Sequence, residues 1–119
     1  MTAAMNDDAL TQVLRKTVVA LVKRDEADLT SRQLGVFLTV YLNDGPHTVR
    51  GLAAGLNVSK PAITRALDRL GELSLVRRKV DPMDRRSVLV QQTREGNAFL
   101  ADLRHVMDAA GTEDLTAAA

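Results

Sequence analysis

Cysteine and tryptophan are absent from the 119-residue chain, and two phenylalanines and one tyrosine are its only large aromatics. Without cysteine there is no disulfide framework, no thiolate metal site and no thiol redox sensor, although a cysteine-free chain folds in any compartment. Long apolar runs are missing too: the longest lies around Val18 to Val22, far short of the roughly 20 residues that a membrane-spanning helix needs. The first eight residues carry Asp7 and Asp8 and no Lys or Arg, so neither the basic start nor the apolar stretch of a secretory signal is there. These absences predict a cytoplasmic protein.

What is present fits one globular domain. A chain of this length buries about two-thirds of the surface that it exposes when unfolded, enough for one core without covalent staples. Hydrophobic residues make up 45% and charged residues 26%, an ordinary globular balance. The net charge is only +1, but it is unevenly placed. Between residues 46 and 94 ten Lys/Arg stand against four Asp/Glu, a local charge of +6, whereas the remainder sums to −5. A basic centre is thus flanked by acidic ends, and the distribution matters more than the sum.

Apolar spacing gives the elements. Leu10, Val13, Leu14, Val18, Leu21 and Val22 recur at three and four, which predicts an amphipathic helix from Ala9 to about Arg24. The polar segment Asp25 to Asp28 breaks it. Thr30 and Gln33 have capping-box spacing and open a second helix to about Leu42. After the turn formers Asn43 to Pro46, Thr48 can cap a short helix carrying Leu52, Ala53 and Leu56. Asn57 tolerates a left-handed backbone, so a tight turn can follow before Ser59 caps the next helix. That helix has Ile63, Ala66, Leu67, Leu70 and Leu73 on one stripe and Lys60, Thr64, Arg65, Asp68 and Arg69 elsewhere. Two short helices joined this way suggest a helix-turn-helix. Leu75 to Val80 and Ser87 to Thr93 then read as a hairpin across the connection Asp81 to Arg86. Thr93 can cap a last helix with Phe99, Leu100, Leu103, Val106, Met107 and Ala110 on its stripe, ending near Gly111.

Three stretches resemble the MarR family of winged-helix regulators: Thr48 to Ala53, Val58 to Arg65 and, most diagnostic, Asp81-Pro82-Met83-Asp84-Arg85-Arg86 followed by a strand and Thr93 to Gly96. The resemblance implies a mainly α fold with a small β-hairpin, a winged helix-turn-helix flanked by N- and C-terminal dimerisation helices. It would be one domain over residues 1–119, with a DNA-binding lobe at 30–93 and dimerisation helices and tails at 1–29 and 94–119. The implied function is that of a sequence-specific regulator of duplex DNA, a dimeric repressor without enzymatic activity or cofactor, released by a small aromatic or lipophilic anion.

An α-helix fits the major groove, so the helix after the turn can present Ser59, Lys60, Thr64, Arg65 and Arg69 to phosphates and base edges. By resemblance this is the recognition helix, and Arg86 is the wing arginine that enters the adjacent minor groove. Arg85, also counted toward DNA, is expected to pair with Asp84 and hold the wing in shape. Asp81 and Asp84 could form an acid/base pair, but beside two arginines in a turn they read as wing-shaping carboxylates. The family's interlocking helices imply a dimer through Leu10, Val13, Leu14, Leu21, Leu103, Val106 and Met107. Phe37, Tyr41 and Phe99 are candidates for a ligand pocket, although aromatics on helical stripes are more often core. His47 and His105 lack a Cys or helical His partner and read as ordinary residues rather than metal ligands.

Departures from the family pattern carry their own expectations. Only eight residues follow Gly111, where relatives bring in a further long helix, so a weaker or differently built dimer is expected. Ser74 stands where the family usually has a helix-ending glycine, so the recognition helix is expected to stop earlier, with Gly71 as its C-cap. Gln92 puts a polar group where the hairpin should meet the core. The alternative function is a protein-docking winged helix, or an antagonist that forms heterodimers with a larger relative.

Overall fold

The computed structural model describes residues 7–24 and 28–118, with side chains from 8 to 112; residues 25–27, in the expected break after the first helix, lie outside the described set. The elements run α1 (Asp7–Val22), α2 (Ser31–Leu42), β1 (His47–Thr48), α3 (Val49–Leu56), α4 (Lys60–Glu72), β2 (Val76–Asp81), β3 (Asp84–Gln92) and α5 (Arg94–Ala118). They fall into two compact units, residues 29–98 and the flanking segments 1–28 with 99–119.

Within the central unit the helix starts are fixed by short polar side chains. Thr30 accepts the Gln33 amide at 3.1 Å while the Gln33 side chain accepts the Thr30 amide at 2.9 Å, a complete capping box. Thr48 and Ser59 accept the amides of Gly51 and Ala62, and Thr93 accepts that of Gly96. Each such cap is worth about 1 kcal/mol. Asn57, at φ 55°, closes α3 in the left-handed region, with Val58 N–H bonded back to the Ala53 carbonyl. That turn sets α4 beside α3, and their apolar stripes meet α2 in one core. Val36, Phe37, Val40, Ile63, Leu67 and Leu70 are its largest fully buried side chains, each contributing roughly 1.5–3 kcal/mol by leaving water.

The end of α4 corrects one expectation. Gly71 lies inside the helix, which continues to Glu72 with Leu73 as its cap. Ser74 then takes φ 61°, and Ser74 N–H and Leu75 N–H bond to the carbonyls of Gly71 and Leu70. This is the Schellman arrangement. Its two bonds, with Leu75 buried, hold a serine where glycine would adopt the geometry more cheaply.

A three-stranded antiparallel sheet of order β1-β3-β2 completes the unit. The two-residue β1, which the sequence pattern does not announce, pairs His47 with Val90 and Thr48 with Leu89. The hairpin turn is also tighter than expected, because Asp81 and Asp84 are paired and only Pro82 and Met83 lie between the strands. Gln92 causes no packing conflict: it is exposed and its amide donates to the Val40 carbonyl at 3.4 Å.

In the flanking unit α1 and α5 pack together. Ala9, Phe99, Leu100, Leu103 and Ala110 are buried. The buried Thr17 hydroxyl is satisfied by the Val13 carbonyl at 2.7 Å. The Arg24 guanidinium lies 5.4 Å from the centre of the Phe99 ring and 3.1 Å from Asp102. The expected end near Gly111 is overturned, since α5 runs on to Ala118. A helix-interior glycine costs only about 1 kcal/mol relative to alanine, too little to stop a helix whose following residues remain helical.

Candidate nucleic-acid interface

α4 buries Ala62, Ile63, Ala66, Leu67 and Leu70, which leaves Lys60, Pro61, Thr64, Arg65 and Asp68 on the opposite, exposed face. Beside it stands the hairpin, tied to the helix by Arg78, whose guanidinium donates to the Asp68 carboxylate at 2.7 Å. Both partners are partly exposed, so the pair adds little stability. It does orient the hairpin on the helix. Between them lies a hollow of about 410 Å³ that gathers Lys60 and Thr64 of α4, Arg50 at the start of α3, and Arg78, Asp84 and Arg86 of the hairpin. Four cations face one carboxylate there.

The turn between the strands is built by its two aspartates. Asp81 Oδ1 accepts the Met83 amide at 2.9 Å, and Asp84 Oδ1 accepts the Arg86 amide at 3.1 Å. The ion pair expected of Arg85 is made by Arg86 instead, Nε to Asp84 Oδ1 at 3.6 Å. Residues two apart on a strand share a face, so Asp84 meets Arg86 while Arg85 falls on the other side. The Arg86 side chain is still 92% exposed and remains available to a ligand.

Other expected residues are placed as follows. The Ser59 hydroxyl is occupied as the α4 cap. Arg65 is exposed, and Arg69 pairs with Glu72 at 3.2 Å. Phe37 is wholly buried and stacks on Tyr41 with ring centroids 4.4 Å apart. The Tyr41 hydroxyl donates to the Leu75 carbonyl at 2.6 Å and accepts the Thr93 amide at 2.9 Å, whereas Phe99 belongs to the flanking unit. His47 bonds the Asn43 carbonyl through Nε2 at 2.9 Å. On α1, Leu10, Leu14, Val18 and Val22 are exposed, as is Met107 on α5; Val13, Leu21 and Val106 are half-buried and Leu103 is buried. Sequence reasoning counts Arg50 and Arg78 in the basic segment but gives them no site. Their place depends on strand register and on how α3 meets the sheet, which no local pattern encodes.

A short helix, a left-handed turn and a second helix with one exposed face, flanked by a basic hairpin, define a winged helix-turn-helix, an architecture that places a helix in the major groove of DNA. Known proteins narrow the class. A model of the MarR family matches residues 27–87. The chain is 30% identical to a MarR-family transcriptional regulator from Rhodococcus sp. RHA1, over 87% of this chain and 70% of that one, with a TM-score of 0.64. It is 31% identical to CouR from Rhodococcus jostii RHA1 bound to p-coumaroyl-CoA, over 87% and 70%, with a TM-score of 0.63. The fold also matches the S. aureus MepR–DNA complex at 20% identity, over 92% and 86%, with a TM-score of 0.70. No curated protein matches the sequence. The chain belongs to the MarR family of DNA-binding transcription regulators, which are not enzymes. No helix among the described residues is long and apolar enough to cross a membrane.

Proposed function

We propose that this regulator is a cytoplasmic homodimeric repressor that sets α4 in the major groove and the hairpin at the flanking minor groove, and leaves DNA when it binds a small aromatic or lipophilic anion. The observation that carries the DNA contact is the convergence of Lys60 and Thr64 with Arg50, Arg78 and Arg86 around one hollow. A concave basic surface with a helix on one side suits a duplex with a phosphate ridge. In this reading Thr64 and Arg65 face bases, Lys60, Arg69 and Arg85 face phosphates, and Arg86 enters the minor groove. Ser59, Asp81 and Asp84 shape the elements that do so.

The dimer is supported by the exposed stripe Leu10, Leu14, Val18 and Val22, spaced by four on α1, with Met107 on α5. Single exposed hydrophobics are ordinary, but a row of four along one helix favours a partner. The aromatic effector is supported by CouR, whose structure holds p-coumaroyl-CoA.

Fluorescence-anisotropy titration against random duplex DNA, with selection of the bound fraction, tests the reading. An inverted repeat with half-sites about 34–36 Å apart and salt-weakened binding is expected. No binding at low salt would sink it and favour docking of the α1 stripe on a larger relative.

A further inference from the structure

The most exposed large hydrophobic side chain described is Met83, 91% accessible at the tip of the hairpin. Its position is held rather than loose: the Asp81 carboxylate takes its amide at 2.9 Å, and Asp84 secures the next residues through the Arg86 amide. Val80, 54% exposed, stands at the base of the same turn. An apolar side chain there gives nothing to the core, and two arginines follow it at 85 and 86.

Arg78 anchors the hairpin to α4 through Asp68, and Met83 lies five residues further along. Only Arg78 to Asp81 are extended before the chain turns at Pro82 and Met83, so at about 3.3 Å per residue the tip stands roughly 10–13 Å beyond the anchor. The major groove is about 12 Å wide and the minor groove about 6 Å. With α4 centred in the former, whose half-width is about 6 Å, a hairpin of that reach directed along the flank is long enough to clear the phosphate ridge and meet the edge of the latter. In the binding mode proposed above, the exposed tip residue then lies at the groove that the Arg86 guanidinium is proposed to enter. Met, Leu, Ile, Phe and Pro are the side chains that wedge between base steps from this side and unstack them.

We propose that Met83 is such a wedge, an uncharged contact at the minor groove that adds affinity and local preference for easily unstacked pyrimidine–purine steps such as TA or CA. This rests on the DNA-binding mode proposed above, and the experiment keeps the two apart. The probe is a duplex selected from random DNA by the wild-type protein, with 2-aminopurine placed in turn at each position of its flanking segments. Wild-type protein is expected to raise the fluorescence at one step. Met83→Ala should lose that signal and bind roughly tenfold more weakly with an unchanged salt slope, because apolar burial but no charge is removed. Met83→Leu should keep both. Full affinity in Met83→Ala, or no unstacking at any position with wild type bound, overturns the wedge. A wild-type protein that selects no duplex overturns the binding mode itself.

Discussion

Arg85 and Arg86 are neighbours in sequence, yet only Arg86 shares a strand face with Asp84 and looks into the basic hollow. Its ion pair is so exposed that it does little for the fold. Arg86→Ala is therefore expected to leave the thermal midpoint unchanged, weaken DNA binding, and make log affinity fall less steeply with log salt, by about 0.9 for each phosphate that is no longer neutralised. Lys60→Ala should do the same, and a calorimetric scan with titrations at several salt concentrations checks both. Buried polar groups obey the opposite logic. The Tyr41 hydroxyl holds the Leu75 carbonyl and the Thr93 amide together, and a Cβ on Gly96 would collide with that hydroxyl and with the Leu75 carbonyl. Tyr41→Phe should cost about 1–3 kcal/mol for the groups left unpaired. Gly96→Ala should cost roughly as much through overpacking, and urea unfolding measures each.

Helix starts and the turn between α3 and α4 are legible in the sequence because their causes are local: a hydroxyl three residues before an amide, an asparagine that accepts φ 55°. Stops and strands are harder. Ser74 misleads because its left-handed backbone is maintained by the bonds to Leu70 and Gly71 and by the burial of Leu75, not by an intrinsic preference of serine. β1 escapes notice because two residues carry no periodicity; partners more than forty residues away make it a strand. Around the basic hollow, the candidacy of Lys60, Thr64 and Arg86 is legible in the sequence, whereas the place of Arg50 and Arg78 needs the packing of α3 and β2. The α4 terminus yields a sharp expectation. Ser74→Gly should stabilise the protein by about 0.5–1 kcal/mol by removing the Cβ penalty. Gly71→Ala, whose new methyl meets nothing within 4 Å, should gain about as much, so each thermal midpoint rises by a few degrees.

For the whole molecule, the exposure of the α1 stripe decides where a dimer can be probed. Leu14 is 62% exposed and Leu103 only 6%. Leu14→Asp is thus expected to keep the fold, sediment as a monomer, and drop roughly 10²–10⁴-fold in affinity for a two-half-site duplex, because the two lobes are no longer linked. Leu103→Asp should unfold the chain instead, since it buries a charge within its own unit. The order of the sheet has a separate consequence. β2 is an outer strand, and its free backbone edge could recruit strands from other molecules into growing aggregates. Arg77, Arg78 and Lys79 stand in succession along that edge, all exposed. Charge repulsion between such edges opposes that pairing, so this basic strand is expected to help keep the protein dispersed when it is concentrated without DNA.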